Sequence, residues 1–240
     1  MTSLTLTLLA LSILFISTLT RSTFGFGDAL IAMPLLTLIV EVKIATPVVA
    51  LVGVTIALTI ATGNWRKIDL NTAWRLILAS AMGIPVGLLL LTTAPEGIVK
   101  GILGLMLIIF GLYSLTQPSI PQLQQQNWAY GFGFIAGVLG GAYNTNGPPI
   151  VIYGTLRRWS PTRFRATLQG YFLPTITLIA VGHGLGGLWT AQVIKLYILA
   201  LPLVFAAIFL GGKLNALIPA NRFERLLYVA LIVLGLLLLF

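Results

Sequence analysis

Apolar runs recur along the chain near residues 4–20, 28–40, 44–63, 71–92, 97–115, 128–140, 147–156, 165–185, 190–211 and 222–240, separated by short polar stretches. At 1.5 Å per residue, most of these runs reach across a hydrocarbon core of roughly 30 Å. Lipid offers no partner to a free N–H or C=O, so the runs are predicted to be α-helices. Three of them, 28–40, 128–140 and 147–156, are too short to cross. Around these short runs lie the residues that lipid contact does not require: TRSTFGFGDALIAMP over Thr20–Pro34, and GGAYNTNGPPIVIYG over Gly140–Gly154.

Composition agrees with the pattern. The chain is 58% hydrophobic and 8% charged, with five acidic residues and no cysteine, and its mean hydropathy is +1.03. These values describe an all-α polytopic membrane protein with about 8–10 membrane segments. The net charge of +9 would suggest nucleic acid in a soluble chain, but the basic residues cluster between apolar runs, as in loops facing the cytoplasm. A nucleic-acid partner is therefore excluded, and the lipid bilayer takes its place. Without cysteine there are no disulfides, thiolate metal ligands or cysteine nucleophiles, and a single histidine argues against a metal centre. No cofactor is expected. The first run lacks a basic region before Arg21 and a small-residue cleavage site, and is read as the first membrane segment.

The two halves resemble each other. Trp65 and Trp189, Gly87 and Gly211, Pro95 and Pro219, and Gly111 and Gly235 are all separated by 124 residues. Ala45-Thr46 matches Ala166-Thr167 at 121, and Gly27 and Pro34 match Gly141 and Pro148 at 114. A duplication is expected, with repeats over 1–117 and 127–240 joined by a polar linker over 118–126. Charge gives the orientation. The first loop carries Lys43 in one half and Arg157, Arg158, Arg163 and Arg165 in the other; the second carries Arg66, Lys67 and Arg75 against Lys195; the third carries Lys100 against Lys213, Arg222 and Arg225. Corresponding loops alternate in basic bias, as they do when repeats insert upside down relative to each other. Inverted repeats require an odd number of crossings per half, or a broken or re-entrant helical hairpin at each start.

In such proteins broken helices meet near the bilayer midplane, and their N-terminal ends favour an anion. Gly25 and Gly27 permit a tight turn at the first break, and Asp28 is placed to cap the next helix. At the second, Gly140 and Gly141 are expected to break the incoming helix. Asn144, Thr145 and Asn146 then offer neutral donors, and Pro148 suits the first turn of the helix that follows. Arg21 and Asp28 are the conspicuous charges inside an apolar region, a placement that points to function, though they could simply pair with each other. The Arg157–Arg165 cluster reads first as an orientation signal, and His183 as a loop residue at the interface. Tyr153 and Gln169 are weaker candidates.

The paired glycine-rich breaks, GFGDALIAMP and GGAYNTNGPP, with the downstream Ala-Thr pairs, resemble the TauE/SafE sulfite-exporter family over the whole chain. The resemblance implies an inverted-repeat carrier in the bacterial inner membrane that moves sulfite, sulfonates, thiosulfate or related small anions, and no enzyme. It implies one half-site at Gly25, Gly27 and Pro34 and another at Gly140, Gly141, Pro148 and Pro149. Asp28 departs from the family's run of glycines, which suggests that it carries a coupling proton. A homo-oligomer is compatible with the sequence. Gly25-Phe26-Gly27-Asp28 also matches the GxGD signature of intramembrane aspartyl proteases, but that chemistry needs a second membrane aspartate, and Asp69 lies in a basic loop. An anion channel built from paired half-helices is the stronger alternative.

Overall fold

The computed structural model of the protein describes residues 3–64, 70–116, 118, 122–214 and 220–239. Among them are ten α-helices and no strand: α1 (Ser3–Phe24), α2 (Asp28–Thr37), α3 (Val42–Asn64), α4 (Leu70–Thr93), α5 (Glu96–Thr116), α6 (Trp128–Tyr143), α7 (Gly147–Leu156), α8 (Pro161–Leu185), α9 (Ala191–Leu214) and α10 (Ala220–Leu239). Five contain stretches long and apolar enough to cross a membrane: Leu4–Phe24, Val42–Ile60, Ala73–Thr93, Glu96–Thr116 and Ala191–Leu214. Several hydroxyls inside these helices turn back onto their own carbonyls, as Thr20 does to Ile16 and Thr92 to Leu88, which meets their donors within the helix. Large apolar side chains such as Ile109, Phe209 and Leu237 stay exposed, as surfaces facing acyl chains require.

Each set of five helices has its shortest member in second place, α2 in the first and α7 in the second. The short α2 and α7 have 10 residues each, and α6 has 16. The three short runs are therefore the short helices expected, with α6 continuing to Tyr143.

Packing crosses between the two sets of five. Helix α4 packs on α6, α1 on α9, α3 on α8, and α5 on α10. Small residues make the first of these contacts close. A Cβ at Gly133 would meet Leu76, one at Gly137 would run into the Ser80 carbonyl, and one at Gly141 into the Ile84 carbonyl. The numbers rise together in steps of four, so α4 and α6 run parallel. At α5 and α10 they run the other way: Gly104 faces Gly235 and Leu238, and Gly111 faces Tyr228 and Ile232. These helices are antiparallel.

The pairs 124 apart acquire a structural meaning. Gly87 faces Val138 on α6 as Gly211 faces Ser22 on α1, and Gly111 and Gly235 both serve the α5–α10 contact. Trp65 and Pro219 lie outside the described residues, as do Arg66, Lys67 and Asp69. Around the breaks the pairing needs correction. The short helices begin at Asp28 and Gly147, and the residues closing the helices before them, Gly25 (φ 91°) and Asn144 (φ 57°), are both left-handed. Gly27 thus corresponds to Asn146 rather than Gly141. Pro34 is the seventh residue of α2 and Pro148 the second of α7, so the two prolines are not equivalent.

Two loops fix which ends belong together. Lys43, before most of α3, donates to the Thr92 carbonyl at the end of α4 at 2.9 Å, while Arg157 and Arg163 line a pocket with Arg75 at its start. The first loops of the two sets therefore sit at opposite ends of α4. Gly137→Ala is expected to force α4 and α6 apart at a cost of about 1–3 kcal/mol, visible as a lower melting temperature in detergent. Gly131→Ala, where a Cβ meets nothing within 4 Å, should leave it unchanged.

Candidate substrate-binding site

The beginnings of α2 and α7 face one small cavity, lined by Arg21, Phe26, Asp28, Thr145, Phe172 and Ile176 among others. Its depth follows from the long helices beside it. Arg21 Nη1 would lie 3.6 Å from a Cβ at Gly53, the midpoint of α3, and Phe172 and Ile176 flank the midpoint of α8. The cavity therefore lies level with the midpoints of α3 and α8.

Arg21, on the last turn of α1, is 4% exposed. Its Nη1 donates to Asp28 Oδ2 at 2.7 Å, and its guanidinium lies over the Phe172 ring at 5.4 Å from the centroid. Asp28 makes no capping bond to α2; its carboxylate goes to Arg21 instead, and Gly27 takes the N-cap position. The pairing was one of the readings open from sequence, and the capping role is not realised. Gly147 stands in α7 where Asp28 stands in α2, so one short helix starts with a carboxyl side chain and the other with none.

The helix ends are unequal in donors as well. Among the described residues, the N–H groups of Asp28, Ala29 and Leu30 meet no acceptor. In α7, Pro148 and Pro149 have no N–H to offer, leaving Gly147 and Ile150. Both ends keep the positive dipole potential, but the backbone donors belong mainly to α2.

The second break is placed differently from the expectation. Gly140 and Gly141 do not break α6; they lie within its last turn, packed against Ile179 and Ile84, and the helix ends at Asn144, whose N–H closes on the Gly140 carbonyl at 2.8 Å. The same glycine property, absence of a side chain, here serves close packing rather than a turn. Asn144 Nδ2 donates to the Thr46 carbonyl at 2.6 Å, and Asn146 Nδ2 to Thr175 Oγ1 at 3.1 Å. Each amide thus commits a hydrogen to holding the break between α3 and α8. Asn144 Oδ1 and Thr145 Oγ1 remain buried without a partner, so unmet polar capacity borders the cavity. Thr46 and Thr167, matched in sequence, are both fully buried, and the Thr167 hydroxyl is also unpartnered.

His183 is not a loop residue. It lies on α8, 1% exposed, with Nε2 2.8 Å from the Gly141 carbonyl. That contact bridges α8 to the last turn of α6. Sequence reading also missed the chain from Asn146 through Thr175, and its neighbour in which Tyr171 meets Ser80 at 2.8 Å and Ser80 donates to the Gly133 carbonyl. Nothing local marked Thr175 or Ser80, since single hydroxyls are ordinary in apolar helices. Tyr153 lies at the far end of α7, away from this cavity.

Asp28→Ala would leave Arg21 buried without a counter-charge, and a loss of about 3–5 kcal/mol is expected. Replacing both, as Arg21→Met with Asp28→Leu, should recover most of it. Thermal melts of the two purified variants against the parent measure the loss and its recovery.

The sequence profile described as "Sulfite exporter TauE/SafE" matches residues 9–238. A protein of Cupriavidus necator named "Probable sulfite/organosulfonate exporter TauE" is 26% identical over 221 residues, covering 88% of this chain and 85% of its own. A second, from Comamonas testosteroni, named "Probable inner membrane transporter protein TsaS", is 26% identical over 175 residues, or 72% of this chain and 73% of its own. No solved structure matches. With the profile spanning nearly all of an all-helical chain, the protein belongs to the TauE/SafE sulfite exporter family of membrane transporters.

Proposed function

We propose that the protein is a secondary transporter of the bacterial inner membrane, carrying a small sulfur oxyanion or organosulfonate by alternating access, with Asp28 carrying a coupling proton. Two inverted repeats, 1–117 and 127–240, joined by a linker over 118–126, form its frame. The antiparallel α5 and α10, and first loops at opposite ends of α4, support that topology. The relatives' names, probable sulfite/organosulfonate exporter and probable inner membrane transporter, support the substrate class and the membrane.

The observation that carries the proposal is the buried Arg21–Asp28 pair at a cavity bounded by the starts of α2 and α7. Asp28 Oδ2 occupies the place on Arg21 that a substrate oxygen would take. A proton on the carboxylate loosens it from Arg21 and leaves the guanidinium to the anion, while the N–H groups of α2 and the Thr145 hydroxyl supply further donors. Gly25, Gly27 and Pro34 shape the first wall, and Gly140, Gly141, Asn144, Asn146 and Pro148 hold the second.

The cavity admits the centre of a water-sized sphere over only about 20 Å³. That is room for about one water and not for a sulfite or sulfonate, so substrate binding requires the walls to part. Alternating access follows naturally from such a site.

The deciding experiment combines binding and flux. Sulfite, thiosulfate, sulfoacetate, taurine, sulfate and short carboxylates are tested as stabilisers of the purified protein, a saturating ligand at 100 times its Kd adding about 2.7 kcal/mol. Stabilisation by a sulfur anion that disappears in the Arg21→Gln, Asp28→Asn double variant is the expected result. Stabilisation unchanged in that variant sinks the site assignment. In proteoliposomes, flux by the parent should rise as pH falls, and Asp28→Asn should make it independent of pH. Flux indifferent to substrate on the opposite side would indicate a channel.

A further inference from the structure

A second cavity lies at the other end of α7. Its walls are Arg75 from the first turns of α4, Gln126 before α6, Tyr153 on α7, Arg157 and Trp159 just beyond it, and Arg163 in the first turn of α8. It accommodates a water-sized sphere over about 50 Å³, more than the central cavity. Ten residues of α7, roughly 15 Å of helix, separate the two.

We propose that this pocket is a second anion site, at the cytoplasmic face, for an oxyanion of the sulfate or phosphate type. The geometry departs from that of a solvated basic loop. Arg75 stacks on Trp74, its guanidinium carbon 4.5 Å from the ring centroid, and Arg157 Nη1 donates to the Leu123 carbonyl at 2.8 Å and to that of Gln124. Arg157 is thereby tethered to backbone beside the pocket, and Arg75 to the ring of its neighbour. Among the described residues, neither Arg75 nor Arg157 has a carboxylate partner. Trp159 stands edge-on to Tyr153 at 5.5 Å and packs against Phe164 at 6.5 Å, making one side of the pocket rigid.

Holding like charges in one concavity costs energy that an anion recovers, and guanidinium forks match oxyanion edges in pairs of hydrogen bonds. A halide would use the charge but not the fork. The positive bias of this end places it in the cytoplasm. Two sources present the same chemistry there: a small free oxyanion, and the phosphate of an anionic lipid.

Trp159 provides the readout. The protein is placed in phosphatidylcholine nanodiscs and titrated with sodium sulfate, against sodium chloride at matched ionic strength. A saturable change in tryptophan fluorescence is expected, absent in W159F and shifted to at least tenfold higher sulfate in R75Q/R163Q. R75K/R163K, which keeps the charge and loses the fork, should lie between. R21Q/D28N, with the central site removed, should respond like the parent; this separates failure of the pocket from failure of the central site. A response equal to that of chloride overturns the proposal. So does one unchanged in R75Q/R163Q, or one lost in R21Q/D28N. A parallel series with phosphatidylglycerol identifies the source: sulfate response abolished there assigns the pocket to the lipid phosphate, and response in both lipids assigns it to the free oxyanion.

Discussion

A guanidinium buried among apolar helices needs a counter-charge within a few ångströms, and Arg21 has one in Asp28 at 2.7 Å. Meeting that need determines much of the surrounding architecture. The chain must turn back between residues 21 and 28 to bring the two together, so α1 stops at Phe24 and α2 starts at Asp28. The turn takes positive φ at Gly25 and Gly27, and the Phe172 ring of α8 covers the guanidinium face. What would be an extravagance in a structural helix becomes useful under the proposed function, in which an anionic cargo competes for the same arginine.

The second break meets a related demand with neutral groups. Asn144 adopts the left-handed conformation that glycine adopts at position 25, which asparagine tolerates better than most residues. Its amide then ties the turn to the start of α3, while Asn146 ties it to the middle of α8. The cavity is therefore asymmetric: a charged, donor-rich wall from α2 faces a proline-stiffened wall from α7. Two similarly placed short helices thus present chemically different ends to one cavity.

The sequence discloses what depends on local physics. Helices, their approximate ends, the short pieces and the two breaks follow from the lengths of apolar runs and from Gly, Asn and Pro. Arg21 with Asp28 was readable because seven residues separate them. Gly140 and Gly141 were assigned to the break because the same lack of a Cβ serves a turn or a close helix contact, and only the partner helix α4 decides between them. His183 was placed in a loop because GHGLGG looks like one; its bond to the Gly141 carbonyl spans 42 residues and leaves no local mark. The convergence of Arg75 with Arg157 and Arg163 was hidden for the same reason, the first lying in one half of the chain and the others in the second.

The glycine-lined contact between α4 and α6 and its counterpart between α1 and α9 join helices from opposite halves. Each half alone would present a groove of bare backbone shaped for a helix it does not possess, and would have nothing of its own to fill it. If the halves are inverted copies of one unit, as proposed, a five-helix ancestor with this packing would have been obliged to assemble as a pair, one copy inserted each way up. Fusion through the present linker would then have fixed an existing partnership, freeing one copy to keep glycine where the other acquired Asp28.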